Sequence, residues 1–118
     1  MDLKEKFNDV KVAIINFFKA VWDKVKQIFV KVLNFFKNIV DFFRKRETLN
    51  ELKEDKNKIA VSIKDNLDNG NYNVINCLYD TKNEEIVDYK NKSEIIHAED
   101  MDSETKTKFA DKDMIIIK

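Results

Sequence analysis

The sequence is poor in the residues that punctuate and cross-link chains. Among 118 residues there is no proline, and glycine, cysteine and histidine occur once each. Such a composition excludes collagen-like, proline-rich and flexible-linker chains. One Cys and one His exclude a disulfide framework, a Cys/His zinc site and a haem-attachment motif, each of which needs several such ligands together. A single Gly leaves no Gly-rich phosphate loop, and neither a nucleophile elbow nor an H-E-x-x-H helix is present.

Long apolar runs are missing too. Beyond Lys11 no stretch reaches six residues without a polar or charged one, whereas a membrane-spanning helix needs about 20 apolar residues. The opening Met1-Asp2-Leu3-Lys4-Glu5-Lys6 precedes no uninterrupted apolar stretch of the secretory kind. The expected location is therefore cytoplasmic, or peripheral at the inner face of the membrane.

What is present is apolar surface and charge. Apolar residues make up 43% of the chain, including nine Phe, so the chain folds. The formal charge of zero hides an asymmetry: residues 1–46 hold 11 basic and 5 acidic side chains, a balance of +6, and the rest carries −6. Eight of the nine Phe and the only Trp precede Arg44. Composition and charge thus break together, giving three segments: 1–46, a charged connector or helix end at 47–57, and 58–118. Asymmetry of this kind points to an anionic surface as partner of the basic half. Richness in Lys, Asn and Ile suggests the AT-rich genome of a bacterium, phage or plasmid.

From Leu3 to Phe43 apolar residues recur three or four apart, which is helical periodicity without a breaker. On a helical wheel Ile14, Phe18, Val21, Trp22, Val25, Phe29, Val32, Phe36, Ile39, Val40 and Phe43 share one side. Lys24, Lys26, Lys31 and Arg44 flank that side, and Lys19 and Lys37 lie opposite. Asn16-Phe17-Phe18-Lys19 recurs 18 residues on as Asn34-Phe35-Phe36-Lys37, five helical turns later. A continuous helix of this length would run on the order of 65 Å. The remaining residues would have a radius of gyration of roughly 10 Å. They could not cover such a stripe, so another surface should bury it. The candidates are a homo-oligomer, another protein and a membrane interface contacted through Lys19, Lys24, Lys26, Lys31, Lys37 and Arg44. A break near Asn34 or Asn38, folding the chain back, is the internal alternative.

The second half carries period-two signals. Ile59, Val61 and Ile63 alternate with Ala60, Ser62 and Lys64, as in a half-buried strand. Asn69-Gly70 is the strongest short hairpin signal. A two-residue turn there would set Val61 opposite Leu78 and Leu67 opposite Tyr72, placing Ile59, Val61, Ile63, Leu67, Tyr72, Val74 and Leu78 on one face. Ile75, Cys77 and Tyr79 occupy the other face of the second strand, which suits a central strand covered on both sides. A short strand is expected around Glu85–Tyr89, an apolar pair at Ile95-Ile96, a helix capped by Asp102 running to Phe109, and a last buried strand over Met114–Ile117. The expected fold is α+β: a long amino-terminal amphipathic helix followed by a small antiparallel β-rich module with one short helix.

Catalytic and ligand motifs are weak. Asp65-Asn66-Leu67-Asp68-Asn69-Gly70 begins like a calcium loop but has Leu67 third, with no oxygen to offer, and Asn76 twelfth, where a bidentate Glu is required. Cys77 and His97 are the only thiol and imidazole, and nothing in their spacing joins them. The acidic run through Glu99, Asp100, Asp102 and Glu104 suits a solvated face, and Asn91-Lys92-Ser93 is a glycosylation acceptor only in a secreted chain. Nucleic acid is not indicated, because the aromatics lie on the apolar side rather than among the basic residues. The sequence thus predicts a non-enzymatic interaction protein without cofactor, metal or small-molecule substrate. Its amphipathic helix would mediate self-association or peripheral membrane binding, with the β module engaging a soluble partner. The alternative is a small inhibitor or adaptor, of phage or mobile-element type, whose helix docks in an apolar groove of another protein.

Overall fold

The computed structural model describes residues 3–110 and 112–116, with side chains for all of these except 3–7, 46 and 47. Helical periodicity carries the chain only as far as α1 (Leu3–Ala20), 18 residues long. A single tight turn over Trp22–Lys24 follows, and Val25 is already extended (φ −103°, ψ 142°). Residues Lys26–Leu33 form β1. The expected long helix is thereby corrected, and the reason lies in the residues. Ile28, Phe29, Val30 and Val32 are β-branched or aromatic and suit a pleated surface. A strand partner, β5 (Glu94–Met101), is also at hand, in a register running from Lys26↔Glu94 to Leu33↔Met101. Pairing satisfies the backbone of both segments, whereas a continued helix would leave β5 without this neighbour.

The chain changes again at Asn34. Its side chain accepts from Lys37 N (2.9 Å), and its own N–H donates to Asn38 Oδ1 (2.7 Å). These bonds open a wide π-helical turn, Phe35–Val40, that runs into α2 (Asp41–Phe43). The turn aims Phe35, Ile39, Phe42 and Phe43 into the core. The Asn-Phe-Phe-Lys repeat is therefore no structural repeat: its first copy lies within α1 and its second caps a turn. The stretch expected as connector or helix end forms a separate helix, α3 (Arg46–Glu54). Glu51 ties it down by accepting from Lys58 (2.7 Å) and from Lys92.

Beyond α3 the expected hairpin forms from β2 (Lys58–Asn66) and β3 (Tyr72–Asp80). Its register differs by one residue from a two-residue turn: Val61 faces Cys77 and Asn66 faces Tyr72. Residues 67–71 make a longer loop, in which Gly70 supplies the positive φ of 87°. A slip of one residue exchanges faces, so Val74 and Leu78 leave the side of Val61 and Ile63. The strand expected around Glu85–Tyr89 shrinks to β4 (Glu85–Ile86), followed by α4 (Tyr89–Lys92). The apolar pair Ile95-Ile96 belongs to the full eight-residue β5. Asp102 caps α5 (Ser103–Phe109) as expected, accepting from Thr105 N at 2.8 Å. The last strand, β6 (Met114–Ile116), lies at an edge with Ile116 exposed, and Ile117 lies outside the described residues.

The result is an α+β fold on one mixed six-stranded sheet, ordered β1-β5-β3-β2-β6 with β4 beside β3. The β1–β5 pair is parallel, correcting the expectation of an all-antiparallel sheet; the other pairs are antiparallel. Parallel strands need a long crossover, here the whole chain from Asn34 to Ser93. Strands from both sides of residue 46 share this sheet, so helix and β module are not separate bodies. Two layers cover it. Ile14 and Phe18 of α1 pack with Val61, Ile63, Ile75, Cys77 and Ile95 on one face. Phe35, Ile39, Phe42, Phe43 and Phe109 pack with Ala60, Val74, Leu78, Ile96 and Ala98 on the other.

Candidate interaction surface

The eleven residues of the expected apolar stripe part company in this fold. Ile14, Phe18 and Val25 are buried in the α1 layer, with Val21 and Trp22 half-buried against it. Ile39 and Phe43 are buried in the opposite layer, with Val40 against it. Only Phe29, Val32 and Phe36 stay exposed, at 77%, 48% and 56%. These three fall within eight residues of chain, along β1 and in the turn that leaves it. The expected cationic residues Lys19, Lys24, Lys26, Lys31, Lys37 and Arg44 are all exposed. Between Lys24 and Arg44 five exposed cations stand against one acid, Asp41.

Phe29 is held, not loose. Its ring stacks on the His97 imidazole, centroids 4.6 Å apart and planes inclined by 15°. Trp22 meets the same imidazole edge-on at 5.8 Å. Pairing of β1 with β5 sets this contact, because Phe29 and His97 are register partners. The imidazole is fixed in its plane by two amides. Gln27 Nε2 donates to Trp22 O (3.0 Å), which orients its Oε1 toward His97 Nε2 at 2.9 Å, so Nε2–H donates there. Nδ1 lies 2.8 Å from Asn73 Oδ1; a protonated ring donates to that oxygen, and a neutral one is served by the NH₂ of the same amide once it is turned. Burial holds the His97 pKa below its ordinary value. Beside this stack an open cleft of about 460 Å³ runs over β5, between Phe29 and Lys31 on one side and Tyr72 and Asn73 on the other.

A buried polar row lies under the opposite layer. Ser62 Oγ donates to Asn76 Oδ1 (2.8 Å), and Asn76 Nδ2 reaches Asn38 O (3.1 Å) and Glu94 Oε1 (3.3 Å). Burial raises the pKa of Glu94, with Asn76, Lys26 and Lys45 opposing the rise. Cys77 is fully buried, and burial pushes its thiol far up. His97 faces Asn73, so Cys77 is four residues farther along β3, on the order of 13 Å, and the thiol and imidazole do not meet. Asp65–Gly70 serve as strand end and hairpin loop, and among the described residues no three acidic, His or Cys side chains gather as a metal cluster.

Sequence reasoning missed Gln27, Asn73 and His97 as a unit. They are spread over 70 residues of chain, and only the β1–β5–β3 pairing brings them together. No family model matches the chain, and no curated protein or solved structure matches it either.

Proposed function

We propose that this is a non-enzymatic interaction protein that docks peripherally on an anionic membrane surface, through the margin formed by β1 and the turn after it. Phe29 carries the reading: an aromatic ring 77% exposed, braced from behind by His97, is placed to enter an interface without losing contacts in the fold. Val32 and Phe36 are exposed as well, farther along the same stretch of chain, with Val32 on the other face of β1. Lys24, Lys26, Lys31, Lys37 and Arg44, all exposed, give this stretch of chain a positive charge. Near an anionic leaflet such cations contribute roughly 1 kcal/mol each, and apolar insertion with electrostatic attraction is the physics of peripheral binding. Among the described residues no helix is long and apolar enough to cross a membrane. Docking of α1 in another protein's groove has less support, since Ile14 and Phe18 are buried in this chain's own sheet layer.

Co-sedimentation with vesicles tests the reading. The chain should bind vesicles containing phosphatidylserine, bind zwitterionic vesicles at least tenfold more weakly, and lose most binding when Phe29 and Phe36 are both replaced by Asp. Equal, salt-insensitive binding to both vesicle types, or none to either, would end it.

A further inference from the structure

We infer that β1 is also a pairing edge for a second copy of this chain, joined antiparallel about a two-fold axis through Phe29. This inference stands independently of the membrane reading. β1 is the outer strand of the sheet, and among the described residues no other strand pairs with it. Seven of its eight residues pair with β5 at one constant offset, and the strand contains neither Pro nor Gly. No bulge or proline therefore blunts this edge in the way edge strands are commonly protected. The residues that do guard it are Lys26 and Lys31, so the pairing must accommodate both.

A two-fold axis normal to the sheet at Phe29 does so. It sets Phe29 against Phe29 of the second copy, Ile28 against Val30, Gln27 against Lys31, and Lys26 against Val32. No like charges meet. Val32 is the register partner of Asp100, an exposed carboxylate on β5 whose neighbour is Lys106 at 3.4 Å. Each Lys26 therefore lies in the same cross-strand row as the other copy's Asp100, an opposite charge. Ile28 and Val30 are only half-buried against the core in one copy; facing each other across the axis, they would extend that core without interruption. The axis keeps both Phe29 rings on one face, so the pair presents two aromatic platforms side by side.

Cysteine cross-linking reads the axis directly, because a residue on a two-fold meets only itself. Opposed Cβ atoms in an antiparallel pair lie roughly 4.5–5.5 Å apart, close to disulfide reach, and Cys77 is buried and does not compete. Light scattering should show the intact wild type rising from one to two chains per particle with concentration. Mild oxidation should turn Phe29→Cys into a covalent dimer while Lys31→Cys stays monomeric. Phe29→Lys, at an exposed position, should fold and scatter as a monomer because two cations would meet on the axis. A wild type that stays monomeric at every concentration overturns the inference. So does a Lys31→Cys variant that links as fast as Phe29→Cys, or a Phe29→Lys variant that still dimerises.

Discussion

Two stretches of the same apolar, cationic pattern meet opposite fates. In α1 the stripe becomes a cover, with Ile14 and Phe18 buried against β2, β3 and β5. In β1 the continuation of that stripe becomes a margin, where Phe29 is the most exposed large apolar residue among the described ones. Phe and Lys do not separate them, since each stretch holds both at similar density, although β-branched residues are denser in β1. What separates them is whether a second layer lies over the side chain. The sheet has an outer side only at its edges, and β1 occupies one of them.

The largest test of that contrast is a matched pair of truncations. Phe18→Ala removes a fully buried ring and should cost about 3–5 kcal/mol of unfolding free energy, which for a domain of this size could abolish folding near body temperature. Phe29→Ala should cost no more than about 0.5 kcal/mol in urea titration, yet weaken binding to anionic vesicles several-fold. Equal losses of stability would show that Phe29 is packed like a core residue and would remove the distinction between cover and margin.

A smaller effect is expected where the margin is braced. His97→Ala removes the ring beneath Phe29 and the contacts to Gln27 and Asn73, and should cost roughly 1–2 kcal/mol. Its pH signature is more specific. The folded-state pKa of His97 lies below the ordinary value, so the neutral ring favours folding. The full contribution is present above about pH 6.5. As pH falls from there toward the folded-state value, the unfolded chain takes the proton first and stability is lost. Urea midpoints should therefore decline across that window in wild type, and decline less in His97→Gln. Identical declines in the two proteins would mean that another group titrates.

The same contrast explains what was legible in the sequence. The hairpin around Asn69-Gly70, the central β3, the Asp102 cap and the strand through Ile59–Ile63 are local signals, visible because turn chemistry and period two act over a few residues, although burial of Ala60 and Ser62 makes that strand covered on both faces and not half-buried. Residues 21–33 were not legible. Val21, Val25, Ile28 and Val32 fit a 3.6 period, while Ile28, Val30 and Val32 fit a period of two, and the choice depended on β5, 68 residues away. Asp102 likewise receives Phe35 N–H from 67 residues back (3.3 Å), fixing the turn after β1 by a bond that no window would include. The cationic residues were exposed in either arrangement. The aromatic site was invisible because His97, a lone histidine in sequence, gains meaning only beside Phe29.

The smallest expected effect lies at the first row of the margin, where Lys26 pairs in register with Glu94. Among the described residues the α1 layer holds no comparable group: Glu94 is a carboxylate almost withdrawn from solvent, with Asn76 as its hydrogen-bond donor. Its pKa is raised chiefly by burial, so the folded state holds the proton more tightly than the unfolded chain does. The sign follows: above the folded-state value the carboxylate must be kept charged and buried, which opposes folding, and as pH falls through that value the penalty is relieved. Glu94→Gln keeps an oxygen to accept from Asn76 and removes the charge. It should raise stability at neutral pH by about 1 kcal/mol or less, with the gain disappearing as pH approaches about 4.5. Thermal unfolding of the two proteins at neutral and acidic pH measures both parts. A loss of stability at neutral pH would mean that Lys26 and Lys45 hold the charge more strongly than burial penalises it, and that β1 is fastened at its first row by an ion pair instead of by its apolar residues.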